Sequence, residues 1–126
     1  DPAENGAMII DNMGMLSSLY GYADIAYVGG GARGALHNTL EPATWGIPIL
    51  FAKHEKNSKF QEAIDLVLNG AAFEIASSTG FERLLISLLD NVDKRKEAGR
   101  RARQQVEENA GATSIIMDYL NEKIDV

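Results

Sequence analysis

The sequence contains no cysteine, which removes a disulfide scaffold, a thiolate metal site and a cysteine nucleophile together. Histidine is almost as scarce, at 2 residues, and no D-x-D pair stands near the glycine-rich segment, so nothing in the pattern asks for a metal. Long hydrophobic runs are missing too. The longest, such as Ile47 to Ala52, fall far short of the roughly 20 residues of a membrane span. The first ten residues, DPAENGAMII, have neither a basic start nor a long apolar stretch, so no secretory signal is expected. Basic charge is also in deficit: 12 Lys+Arg stand against 18 Asp+Glu, a formal net charge of -6. That balance disfavours nucleic acid as a partner, because such binding rests on a basic surface that neutralises phosphates.

What is present is an ordinary globular composition, 45% hydrophobic and 24% charged over 126 residues, enough for one core and one domain. Two features are unevenly spread. Gly29, Gly30, Gly31 and Gly34 crowd into six positions, and Lys94, Arg95, Lys96, Arg100, Arg101 and Arg103 fall within ten. The basic group lies in a polar helical stretch with Glu97, Glu107 and Glu108, the pattern of a solvated surface helix. Contact with anionic lipid headgroups is the functional alternative for it.

Short apolar runs alternate with helical patterns, the signature of βαβ units. Strands are expected at Ala7 to Ile10, Ile25 to Val28, Pro48 to Phe51 and Ala72 to Ile75. Helices are expected around Leu16 to Tyr20, at Asn38 to Trp45 and at Phe60 to Leu68, the last presenting Phe60, Ala63, Ile64, Val67 and Leu68 on one face. Three more are expected at Phe81 to Leu89, Asp93 to Asn109 and Thr113 to Lys123, with Ala98, Ala102 and Val106 as the apolar stripe of the second. The fold class is therefore α/β, a Rossmann-like parallel sheet of about four strands with helices on both faces. A doubly wound nucleotide-binding domain has about six strands, so the first strands of such a domain are expected to be absent and its open edge paired in a larger parent.

Strand, glycine cluster and helix form an arrangement in which backbone N–H groups cradle a phosphate. Gly29, Gly31 and Gly34 also fit G-x-G-x-x-G, with Glu55 about 20 residues on. In a dinucleotide site, however, the glycines open a long crossover helix directly, whereas Ala35-Leu36-His37 intervene here and only a short helix follows. Asn38 and Glu41 admit two readings, a helix cap with something close to a capping box, or ligand contacts behind the glycine loop.

The run DNMGMLSSLYGYADIAYVGGG, then HNTLEPATWGIPILF, FQEAIDLVLNGAAFEI and ENAGA, resembles the C-terminal domain of 3-deoxy-D-manno-octulosonic acid (Kdo) transferases from about Met8 to Leu120. These are GT-B glycosyltransferases of lipopolysaccharide assembly. HN-x-LEP behind a glycine loop and ahead of G-x-P carries the likeness; Ala35-Leu36 and Met15 depart from the family's more usual residues. The resemblance implies a parent at the cytoplasmic face of the bacterial inner membrane that transfers Kdo from CMP-Kdo to lipid A precursor, with residues 1–126 as its nucleotide-sugar-binding domain. It also implies that Gly29, Gly30 and Gly31 line the donor cleft, that Asn38 and Glu41 hold the CMP portion, and that His37, Met13 and Gly14 border it. Lys53 and Asn57, in a loop that aligns with a donor-proximal one, are by the same resemblance donor contacts; Arg33 is expected to face water, with pairing to the donor's phosphate or carboxylate as the alternative. The catalytic base and the acceptor site belong, by the same resemblance, to an N-terminal domain outside these residues. No catalytic residue and no cofactor are therefore assigned, and the isolated chain is expected to bind CMP and transfer nothing. A non-catalytic nucleotide-binding module and an oxidoreductase's dinucleotide domain are the alternatives.

Overall fold

The computed structural model describes residues 6–11 and 14–124. Three strands, β1 (Ala26–Val28), β2 (Ile49–Ala52) and β3 (Ala72–Ile75), form one parallel sheet in the order β1-β2-β3. Ala26, Ile49 and Ala72 are aligned across it, as are Tyr27, Leu50 and Phe73. The helices are α1 (Leu16–Leu19), α2 (Leu40–Thr44), α3 (Gln61–Leu68), α4 (Ser78–Asp90) and α5 (Val92–Ile124), with 3-10 turns at Tyr20–Tyr22, Gly31–Arg33 and Glu55–Lys59. The α/β class and parallel sheet are as the sequence indicates, but the sheet has three strands, not four. Ala7 to Ile10 forms no strand, and Met8, Ile9 and Ile10 are exposed. An apolar run becomes a strand only where a neighbour takes up its backbone N–H and C=O groups, and among the described residues no strand pairs with the outer edge of β1.

Side chains alternate across a strand, and this divides the core. Val28, Ile49, Phe51 and Ala72 pack with Ala43 of α2, Ala63 and Leu66 of α3 and Ala102 of α5. On the opposite face, Tyr27 meets Phe81 of α4 edge to face, with ring centroids 5.8 Å apart. Helices thus cover both faces. Ala63 of α3 is buried and Phe60 and Val67 pack against the core as expected, but Leu66 is buried in place of Leu68, which is 78% exposed. α4 begins three residues before its apolar run, because the Ser77 hydroxyl accepts a hydrogen bond from the Gly80 N–H and caps the helix there.

The two expected C-terminal helices are one. α5 runs 33 residues without interruption through Gly111, whose surroundings are open, and a lone helical glycine costs only about 1 kcal/mol. Its first half is bound tightly to the body. Ala98, Gly99, Ala102 and Gln105 are buried, and a Cβ on Gly99 would strike the Gly46 carbonyl just after α2. Part of the basic group serves this attachment, while Arg100 and Arg103 bond within α5. Arg95 donates to the Leu88 and Leu89 carbonyls at 3.0 and 3.1 Å, at the end of α4, and Arg101 to the Asn69 carbonyl beyond α3. Arg100 and Arg101 both bind Glu97, and their hydrogen bonds pull its carboxyl down to about 2. Residues 107–124 are exposed throughout, among them Ile115, Ile116, Met117, Tyr119, Leu120 and Ile124. Among the described residues no helix is long and apolar enough to cross a membrane.

Candidate functional site

The segment after β1 folds back on itself. Gly29 accepts from the His37 N–H at 3.0 Å, Gly30 from Arg33 and Ala35 at 3.1 Å each, and Gly31 from Gly34 at 3.0 Å. Closing so short a loop places Gly30 at φ +82° and Gly34 at φ +66°, the left-handed region open to glycine at little cost. Space makes the same demand. A Cβ on Gly30 would run into the Ala35 carbonyl, and one on Gly31 would come within 2.6 Å of the Ala52 carbonyl oxygen. Packing within the loop and against β2 is therefore reason enough for these glycines. The loop leads into the single 3-10 turn Gly31–Arg33, and α2 starts only at Leu40 with five residues. The long helix that a dinucleotide fingerprint opens is absent, so the G-x-G-x-x-G match lacks its structural context.

Behind the loop, the Asn38 Oδ1 accepts from the Leu40 N–H at 2.8 Å, while its Nδ2 faces Glu41 Oε1 at 3.5 Å. Asn38 thus bonds the first helical N–H of α2 from one position before the N-cap, and Glu41 turns to the Asn38 amide and not to a backbone N–H, so the expected capping box does not form. The helix N-cap position itself falls on Thr39, whose hydroxyl is buried without a hydrogen bond. The bond to the Leu40 N–H consumes only one end of Asn38, and its amide nitrogen stays on the exposed side beside the carboxylate. Glu41 is half-buried and close to Tyr20: burial first, and the Glu41 charge second, push the Tyr20 hydroxyl above its ordinary value.

Two adjoining cavities open beside the loop. The larger, about 560 Å³, lies across the carboxyl ends of all three strands and is lined by Tyr27, Ala32, Lys53, Ile75, Ser77 and Phe81, among others. The smaller, about 350 Å³, is lined by Gly30, Ala32, Arg33, Ala35 and His37. Ala32 is common to both. Of the residues singled out from the sequence, Lys53 thus reaches the larger cavity, and Gly30 and His37 the smaller. Asn38 and Glu41 line neither. Asn57 is buried, and Gly14, at φ +91°, is exposed with open space around it. Met13 lies outside the described residues. Tyr27, Ser77 and Phe81 were not anticipated as site residues; the available signals were the period of β1, which turns Tyr27 away from the buried Ala26 and Val28, and a capping serine directly after β3. Among the described residues no group of three or more His, Cys, Asp and Glu side chains is placed to hold a metal ion.

A three-stranded parallel sheet between helices, with a cleft at the carboxyl ends of its strands, makes this an α/β domain of the class whose ligands, where it has them, sit at that edge. More particularly, the chain is related by sequence to the 3-deoxy-D-manno-octulosonic acid transferases over most of its length. The transferase of Haemophilus influenzae is 33% identical over 123 residues, 94% of this chain and 28% of that protein. That of Chlamydophila psittaci is 32% identical over 74% of this chain and 22% of its own length, and that of Aquifex aeolicus 34% over 68% and 24%. The chain therefore spans about a quarter of the length of the curated relatives it matches. No family model matches it, and no solved structure does so significantly.

Proposed function

We propose that this chain is the donor-holding part of a Kdo transferase of GT-B architecture, which takes Kdo from CMP-Kdo and passes it to lipid A precursor. The observation that carries this reading is the match to the Haemophilus influenzae transferase along 94% of the chain, which takes in the glycine loop and HN-x-LEP. The geometry supports it with a cleft across the strand ends, where open α/β sheets take ligands. In this reading Glu41 accepts from the ribose hydroxyls and the Asn38 amide nitrogen, which in the unliganded chain donates to Glu41, turns to phosphate or sugar, while Lys53 offers positive charge to the anionic donor. The Gly29–Gly31 backbone and His37 border the donor. The protein's part in catalysis is to orient the donor and to stabilise the departing CMP phosphate. The base that deprotonates the acceptor and the acceptor site are assigned to the rest of the parent enzyme at the membrane, so the chain alone transfers no Kdo.

A ligand-detected titration of the 126-residue chain with CMP, CDP, UMP and NAD tests this. CMP is expected to bind in preference to UMP and NAD, and Glu41→Gln to weaken it about tenfold, the cost of one charge-assisted hydrogen-bonding group. Binding of NAD without cytidine nucleotides, or Kdo transfer by this chain alone, overturns the reading.

A further inference from the structure

Asn57 is only 3% exposed, and its Nδ2 donates to two carbonyls, Gly31 at 3.1 Å and Ala52 at 3.0 Å. One amide nitrogen, with both its N–H groups used, joins the loop after β1 to the end of β2. The residue is itself held firmly: its N–H donates to the His54 carbonyl and its own carbonyl accepts from Phe60, both at 3.0 Å. The same turn meets the loop a second time at Gly34, where His54 and Lys56 leave no room for a Cβ. No other side chain of this size offers two donors without charge. Aspartate presents only acceptors to the carbonyls, and a buried cation costs several kcal/mol.

We propose that Asn57 is a positioning residue that sets the two walls of the strand-end cleft against each other, acting through Gly31 and Ala52 and not by touching the donor. Gly31 precedes Ala32, which lines both cavities, and Ala52 precedes Lys53, which lines the larger. The part of this inference that concerns ligand affinity rests on the donor-binding reading above; the part that concerns the loop does not.

Hydrogen exchange by NMR, together with CMP titration of the same samples, tests both parts. In the wild-type chain both Nδ2 protons of Asn57 are expected to be protected, and rapid exchange of either overturns the proposal even if no variant folds. In Asn57→Asp, and in Asn57→Ala as the second variant, protection of the Arg33, Gly34, Ala35 and His37 amides is expected to fall roughly tenfold or more, while the Ile49 and Ala71 amides keep theirs. CMP affinity of Asn57→Asp is expected to fall roughly tenfold and to recover towards that of the wild type at the same pH as pH is lowered from about 8 to about 5. The introduced carboxyl, buried opposite two carbonyls, has a raised pKa and on protonation regains one donor. Leu88→Ala, a cavity far along α4, serves as the control. It is expected to lower thermal stability without changing loop protection or the CMP affinity of the folded protein. A uniform loss of protection in the Asn57 variants, like that of a merely destabilised chain, overturns the proposal. Failure of the wild-type chain to bind CMP sinks the donor reading instead, and the exchange data still judge the role of Asn57 in the loop.

Discussion

Gly30 shows how a residue's identity is settled by its nearest neighbours. It sits at positive φ with the Ala35 carbonyl where a Cβ would be, and it accepts two hydrogen bonds from the same loop. Gly30→Ala is therefore expected to cost about 2–4 kcal/mol, combining left-handed strain with a steric clash; urea denaturation measures it, and a loss below about 1 kcal/mol would contradict the loop as described. The glycine cluster was legible as a special loop, but its reason was not. The sequence suggests backbone open to a phosphate; the close approaches that independently demand glycine come from Ala35 in the same loop and from Ala52, His54 and Lys56 well along the chain, whose nearness no local pattern announces. Asn57 is the same case. Its polarity reads as a donor contact in a charged loop, and only the fold reveals it buried under Gly31, 26 positions earlier in the chain. The contact of Asn38, by contrast, was closer to legible because its partner, Leu40, is two residues away, although the N-cap falls on Thr39.

Among the elements, α5 carries the clearest contrast. Gly99 and Gly111 occupy the same helix, and intrinsic propensity favours alanine over glycine at either by about 1 kcal/mol. Gly99 packs against the Gly46 carbonyl, whereas nothing lies within 4 Å of a Cβ built on Gly111. Gly99→Ala is accordingly expected to destabilise the protein by about 1–3 kcal/mol through overpacking, and Gly111→Ala to leave it unchanged or stabilise it by up to about 1 kcal/mol. Thermal melts of the two variants should thus shift in opposite directions or differ by several degrees; equal shifts would show that Gly99 is not at a close contact. The apolar stripe of Ala98 and Ala102 was visible in the sequence as a surface-helix pattern. That Arg95 and Arg101 cap other helices was not, because the carbonyls they reach belong to α4 and the turn after α3.

At the scale of the whole molecule, the body ends near Val106, the last residue of α5 that packs against the core cluster. Residues 111–124 touch none of it and are exposed. Truncation after Ala110 is expected to change the melting temperature by no more than about 2 °C, since exposed surface contributes little; a loss of many degrees in calorimetry would show that the tail is packed. In the proposed division of labour this chain, about a quarter of the length of its relatives, holds the donor, and the rest of the parent supplies the base and the acceptor site. The sequence by itself determined the α/β class, the positions of β1, β2 and β3 to within a residue or so, and the kinship carried by the glycine loop and HN-x-LEP, because these depend on local periodicity, capping and motif spacing. Only the tertiary structure decided that Ala7 to Ile10 is not a strand, that one helix replaces two, that Gly31 and Gly34 lie too close to Ala52, His54 and Lys56 for a Cβ, and that Asn57 bonds Gly31 and Ala52. Each of these turns on a neighbour far along the chain, or on the lack of one, and no run of adjacent residues encodes that.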